Sequence, residues 1–151
     1  MKKVVLAFSG GLDTSFCVPY LKNEKGLEVH TVLVNTGGFS KEEAARIEER
    51  ALTLGAASHT TVDAVDTYYN KGLKYLIYGN VLKNNTYPLS VSSERVFQAL
   101  EVLNTVKKIG ADYVAHGSTG AGNDQVRFDI VFEIMAPEVE ILAPIRALEI
   151  S

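Results

Sequence analysis

The sequence predicts an α/β fold: an open, mostly parallel five-stranded sheet with helices on both faces. Three observations predict it. Short β-rich runs alternate with longer amphipathic ones, the rhythm of βαβ units. Residues 4–8 are apolar throughout, as in a strand buried on both sides. Glycine-rich loops follow the first and fourth of these runs, and ligands of open parallel sheets bind at the carboxyl ends of the strands.

Taken in order, the strand at 4–8 leads to a helix over 13–25, stopped by Gly26. Pro19 lies inside that helix, where its missing donor is expected to kink or shorten it. A second strand spans 29–34. Ser40 and Glu43 form an S-x-x-E capping box. Ala44, Ile47, Ala51 and Leu54 then repeat at helical spacing up to Gly55. A weaker strand covers 58–62, and a helix 65–78 contains Gly72. Residues 80–93 are polar, turn-rich and interrupted by Pro88, so they read as a loop. The helix at 94–109 sets Val96, Leu100, Leu103 and Val106 on one face. The fourth strand is 112–115 and the fifth 139–142. Between them, 124–135 is ambiguous between helix and strand, its apolar residues being too dense to show a period.

The whole chain narrows the classes. Its 151 residues fit one domain with a sizeable core. Hydrophobic residues make up 46% and charged ones 22%, an ordinary globular balance. A net charge of −3 argues against a long basic groove, so no nucleic-acid partner is expected. No apolar run approaches the roughly 20 residues of a membrane span, so no membrane partner is expected either. Met1-Lys2-Lys3 has signal-like charge, but the apolar stretch breaks at Ser9-Gly10-Gly11, too early for an export signal. The single cysteine, Cys17, reads as packing and suits a reducing cytoplasm. His30 and His59 read as packing or edge residues, and Tyr68, Tyr69, Tyr75 and Tyr78 as core or interface. No cluster has metal-ligand spacing; the expected protein metal site is none, and magnesium would arrive with a nucleotide.

The most informative segment is Ser9-Gly10-Gly11-Leu12-Asp13-Thr14-Ser15. It joins a buried strand to a helix N-terminus, which carries roughly half a positive charge and free amides. Gly10 and Gly11 let the backbone approach phosphate oxygens. Ser9, Thr14 and Ser15 add hydroxyls, Leu12 is expected to anchor the loop in the core, and Asp13 to cap the helix or sit near magnesium. The bland alternative is a tight turn that the glycines merely permit; three hydroxyls and an aspartate favour phosphate. Neither G-x-x-x-x-G-K-[ST] nor G-x-G-x-x-G occurs, so the grip differs from both common nucleotide loops.

The second loop runs His116-Gly117-Ser118-Thr119-Gly120-Ala121-Gly122-Asn123-Asp124-Gln125-Val126-Arg127-Phe128. Thr119, Asn123, Asp124 and Arg127 supply donors and acceptors of both signs, a set that suits an amino-acid zwitterion. Taken alone they suit equally a solvated loop whose Arg127 pairs with Asp124 or Asp129. His116 is expected to hydrogen-bond the loop backbone.

S-G-G-L-D-T-S resembles the signature of the ATP pyrophosphatases, which cleave between the α- and β-phosphates. With Thr14 before Ser15, it is most similar to the argininosuccinate synthase family. G-x-T-G-x-G-N-D-Q-V-R-F resembles that family's substrate loop, Tyr87-Pro88-Leu89 with Ser92 and Arg95 its Y-P-L-G-T-S-L-A-R stretch, and Ala143-Pro144-Ile145-Arg146 its A-P-W-R. The resemblance covers essentially the whole chain. It implies a Rossmann-like ATP pyrophosphatase domain with ATP and Mg2+ as substrate. ATP would be held by Ala7, Phe8, Ser9, Gly10, Gly11, Leu12, Asp13, Thr14, Ser15, Thr36 and the stretch 115–123 that includes Gly117. Aspartate would be held by Thr119, Asn123 and Asp124, and citrulline by Tyr87, Ser92, Asn123 and Arg127. Positioning and charge stabilisation would carry the chemistry, with no catalytic nucleophile.

Some positions depart from the family pattern. Ala121 stands where lysine is common, Ser90 and Val91 replace Gly-Thr, Ile145 replaces tryptophan, and Thr36-Gly37-Gly38-Phe39 replaces A-D-V-G. The family's chains are more than twice this long and their oligomer is a homotetramer. Residues 1–151 are therefore expected to be an ATP-binding domain without the synthetase domain, inactive by itself. A nucleotide-binding module without this substrate pair, or another ATP pyrophosphatase, is the alternative. A tRNA-modifying enzyme would show basic patches and paired cysteines, and this chain has neither.

Overall fold

The computed structural model describes residues 1–120 and 123–149. Strand β1 (Lys3–Ala7) runs into α1 (Leu12–Asn23), then β2 (Glu28–Asn35), α2 (Lys41–Thr53) and β3 (Ser58–Asp63). A broken helix follows: α3 (Val65–Tyr68) and α4 (Lys74–Tyr78), joined by a π-helical turn at Tyr69–Leu73. A hairpin of β4 (Leu82–Lys83) and β5 (Tyr87–Pro88) precedes the long α5 (Ser90–Ile109). Then come β6 (Tyr113–Ala115), α6 (Asp124–Met135), β7 (Glu140–Leu142) and α7 (Pro144–Ala147).

The five-stranded sheet has the order β3-β2-β1-β6-β7, and every pair in it is parallel. Val5 of the central strand faces His30 on one side and Val114 on the other. From β1 the chain winds outward to β3, then returns to β6 on the opposite side of β1. The strand order therefore reverses between β1 and β6, and a crevice opens beyond their carboxyl ends.

The pleat of β1 divides the core. Val4, Leu6 and Phe8 pack with Cys17, Val18 and Leu21 of α1, Ala51 of α2 and Ile145 of α7. Val5 packs on the other face with Ala99, Val102, Leu103 and Val106 of α5 and Phe128, Val131 and Phe132 of α6. Helices cover both faces, as expected.

Several expectations change in detail. Helix α1 passes through Pro19 and ends at Asn23 rather than Lys25; buried Val18 and Leu21 hold it to the sheet on either side of the proline. Residues 80–93 are not one loop. Asn84 and Asn85 adopt φ of 54° and 56°, the left-handed pair that a tight hairpin requires. Helix α5 begins at Ser90, four residues earlier than expected, because Tyr68 Oη donates to the Ser90 carbonyl at 2.7 Å and pins that turn. This is a contact of long range, invisible in local composition. Gly72 lies against Phe97: a Cβ there would meet the ring at 2.7 Å, so the glycine serves packing within the π turn.

Segment 124–135 is helical. Its period was obscured because apolar residues occupy both faces: Phe128, Val131 and Phe132 are buried, whereas Val126, Ile130, Ile134 and Met135 are exposed. Among the tyrosines at near-helical spacing, Tyr68 is buried, but Tyr69, Tyr75 and Tyr78 are exposed. Leu12 does not anchor its loop in the core; it is 86% exposed at the mouth of the crevice.

Candidate functional site: two loops around one crevice

The loop after β1 is shaped from behind by α2. Gly10 has φ +75°, and a Cβ on it would meet Ile47 at 2.9 Å, so only glycine fits. The Gly10 carbonyl accepts a 2.7 Å hydrogen bond from Arg50 Nη1. Gly11 caps α1 in an extended conformation. Unlike Gly10, it is spacious: an added Cβ would meet only Ser9 Oγ, at 3.5 Å. Thr14 Oγ1 donates to the Gly11 carbonyl at 3.3 Å and lies 3.4 Å from Ser9 Oγ. In the first turns of α1, Ser15 Oγ is buried without a hydrogen-bond partner among the described residues. The first amides of α1 have no partner within the helix, as at any helix start.

The loop after β6 approaches this turn closely. A Cβ on Gly117 would meet Thr14 Cγ2 at 2.9 Å and the Thr14 backbone nitrogen at 3.2 Å. Gly117 therefore lets the second loop rest on the N-terminus of α1.

Between the loops lies a cleft of about 350 Å³, within the usual range for small-molecule sites. Ala7, Phe8, Ser9, Gly11, Leu12, Asp13 and Thr14 form one side, His116, Gly117 and Ser118 the other. Val32, Val34, Phe39, Val102 and Phe128 give it an apolar floor and wall. A second hollow of about 380 Å³ is lined by Thr119, Asn123, Asp124, Gln125 and Arg127. Asp13, Gly117, Ser118 and Asp124 border both, so the two hollows adjoin.

At their border Asp124 is held by two guanidiniums. Arg127 Nη1 donates to Oδ1 at 2.9 Å and Arg95 Nε to Oδ2 at 3.2 Å. Arg127 also donates to Ser92 Oγ at 3.0 Å, and Arg95 to Gln98 Oε1 at 2.7 Å. With Asp13, which borders both hollows, two carboxylates and two guanidiniums balance here, a mixed-sign set suited to a zwitterionic ligand.

His116 is 1% exposed, stacked on Phe128 with ring centroids 5.8 Å apart. Its Nδ1 accepts from the Ser118 amide at 3.2 Å, and its Nε2 meets Asp129 Oδ1 at 2.9 Å. Burial pushes the imidazole pKa down, against the upward pull of Asp129. Burial also works against the Asp129 carboxylate, yet hydrogen bonds from Arg146 and His116 hold its pKa below the usual value.

Most of the expected site residues thus converge. Gly10 instead backs the loop, lining a separate pocket against α2. Thr36 donates to Glu94 Oε1 at 2.5 Å and lines neither hollow; Tyr87 is exposed on β5 and lines neither. Ala121 and Gly122 lie outside the described residues. Gln98 carries no motif in the sequence, Phe39 stands there only in the departure at 36–39, and Arg50 suits a solvated helix face; the structure brings Gln98 and Phe39 to the cleft and Arg50 to the Gly10 carbonyl. Arg95 and Gln98 sit one turn apart on α5, but only the packing of that helix turns them toward the crevice.

Residues 3–151 match the family model described as the arginosuccinate synthase N-terminal HUP domain. The chain belongs to this family. It is 47% identical to the argininosuccinate synthase of Xylella fastidiosa over 98% of its length, which is 36% of that relative. With the argininosuccinate synthase of Saccharolobus solfataricus it shares 46% over 95% of the chain, again 36% of the relative. The chain thus spans about a third of the length of these curated relatives. Among solved structures it resembles the NMN synthetase of Francisella tularensis, with TM-score 0.58 and 12% identity over 78% of this chain and 46% of that one. It resembles the NH3-dependent NAD synthetase of Campylobacter jejuni equally, with TM-score 0.58 and 15% identity over 78% of this chain and 47% of that one. Such low identities speak for the fold alone, an open parallel α/β sheet flanked by helices. No described helix is long and apolar enough to cross a membrane.

Proposed function

We propose that residues 1–151 form the ATP-binding domain of an enzyme that ligates citrulline and aspartate to argininosuccinate, releasing AMP and pyrophosphate. The observation that carries this reading is the shared border of the two hollows at Asp13, Gly117, Ser118 and Asp124. A phosphate-gripping loop there adjoins a donor–acceptor set suited to a zwitterion.

In this reading ATP enters the 350 Å³ cleft with its magnesium. The amides at the start of α1 that have no partner within the helix, and the hydroxyls of Ser9 and Thr14 that line the cleft, receive its phosphates, whereas Ser15 Oγ is buried behind them. The citrulline ureido oxygen attacks the α-phosphate, the bond to pyrophosphate breaks, and an adenylated intermediate forms. The aspartate amine then displaces AMP. Asn123 and Arg127 would hold citrulline, with Ser92 orienting Arg127 and Tyr87 closing in from its hairpin. Thr119, Asn123 and Asp124 would hold aspartate. Placing the reactants and matching the charge that develops supply the rate, without a protein nucleophile. The whole enzyme is proposed to be a cytoplasmic homotetramer in arginine biosynthesis, its synthetase domain completing the citrulline pocket.

Calorimetric titration of the chain with magnesium-ATP, beside a Gly11→Val variant, tests the reading. The variant should fold, since only Ser9 Oγ lies near the added Cβ. Its side chain would stand where phosphate oxygens approach. Saturable binding that weakens at least about tenfold in the variant is expected, the loss of one or more strong hydrogen bonds. Equal binding by both proteins would refute the phosphate loop.

A further inference from the structure

His116 lines the cleft beside Gly117 and Ser118, yet it is 1% exposed and has been given no role of its own. Three aromatic and ionic partners surround its ring: Phe128, Phe132 and Asp129, all from α6. Its Nδ1 receives the Ser118 amide proton, so that nitrogen carries no proton of its own. The remaining proton sits on Nε2 and is donated to Asp129 Oδ1. Asp129 Oδ2 in turn accepts from Arg146 Nη1 at 2.6 Å. Arg146 reaches Gln125 Oε1 at 3.3 Å as well, and Gln125 Nε2 donates to the Gly120 carbonyl at 2.8 Å. The second loop is therefore tied at Ser118 and at Gly120, and both ties end on Arg146 of α7.

We propose that His116 is a positioning residue for the second loop: a neutral imidazole, anchored through Nε2–H to Asp129, whose Nδ1 holds the Ser118 amide. It thereby keeps Gly117 and Ser118 against the start of α1, at the edge of the cleft. This rests on the reading of that cleft as an ATP site. The anchor is a shape requirement as well as a hydrogen bond, because a Cβ at position 117 would meet Thr14 and the loop can rest there only through a glycine.

Two substitutions separate the two nitrogens. Asparagine places its Oδ1 near the Nδ1 position and leaves nothing at Nε2. Glutamine places its amide nitrogen near Nε2 and leaves nothing at Nδ1. Both lose the ring stacking equally, so a purely structural role would affect the two alike.

Hydrogen exchange at the Ser118 amide and calorimetric magnesium-ATP titration would be measured on the chain, His116→Asn and His116→Gln. Exchange is expected to stay within about threefold of the unchanged chain in the asparagine variant. It is expected to accelerate about tenfold or more in the glutamine variant, the effect of one lost buried hydrogen bond. The dissociation constant should follow the same order. Imidazole nitrogen shifts of the unchanged chain should place the proton on Nε2 at neutral pH. Equal Ser118 exchange in the two variants, or a proton on Nδ1, would overturn the proposal. If the unchanged chain binds no magnesium-ATP, the ATP reading fails, while the exchange comparison still decides the role of His116.

Discussion

At the residue scale, the buried imidazole of His116 makes stability depend on pH. Burial lowers its pKa from 6.5, with Asp129 opposing and Arg146 assisting. In the unfolded chain the ring takes up a proton near the ordinary value; in the folded chain it does so only at lower pH. Within that window the unfolded state binds more protons, so stability falls as pH falls. His59 is lowered by burial too and adds a decline of the same sign. Asp129 and Glu43 have lowered carboxyl pKa values, and what they contribute is lost only at more acid pH, below about 3.8 and 4.5. Urea unfolding is therefore expected to show lower stability at about pH 5.5 than at about pH 7.5. The slope should be shallower in His116→Asn, with His59 supplying the remainder. A stability that rises toward pH 5.5 would contradict this account.

At the scale of elements, α2 deserves its place in the site although none of its residues lines the main cleft. Ser40 Oγ accepts from the Glu43 amide at 3.2 Å, and Glu43 Oε2 accepts from the Ser40 amide at 2.8 Å. This capping box fixes where the helix starts, and so the turn at which Ile47 and Arg50 meet Gly10. Ser40→Ala removes one of the two caps and should cost about 1 kcal/mol. Urea unfolding measures it directly, and an unchanged midpoint would contradict the assignment. Helix α5 contrasts with α2. Its N-cap position, Leu89, makes no side-chain cap, and its first turn is held by Tyr68 from a distant helix.

At the scale of the molecule, the sheet separates two apolar cores. Val18 of α1 lies in one and Val102 of α5 in the other, each at most 1% exposed. Val→Ala at either position should cost about 2 kcal/mol, from roughly 0.8 kcal/mol per buried methylene plus a residual cavity. Because the two sites lie in separate clusters on opposite faces of the sheet, their costs should add to within about 0.5 kcal/mol in the double variant. A larger departure, measured by urea unfolding, would mean that the strands transmit repacking from one face to the other. The crevice lies where both cores end, so the loops rest on a foundation rigid on either side.

The sequence by itself determined the five strands of the main sheet and both glycine-rich loops, because these depend on local signals. An apolar run marks a strand buried on two faces, a capping box marks a helix start, and paired glycines mark a backbone that others approach. It also marked Ser9 and Thr14, which line the cleft, but could not show that Ser15 Oγ would be buried. Only the tertiary structure decided how these parts face one another. Leu12 turned outward because α1 starts beyond the carboxyl end of central β1, where a core ends. Residues 124–135 became a helix because the sheet needs a partner for Phe128 and Phe132, not because of any readable period. Arg95 and Arg127 came to share Asp124 through the packing of α5 against α6, across 29 residues of chain. Local sequence sets what a segment can form, whereas burial of the remaining apolar faces selects which segments meet, and a binding site is made at those meetings.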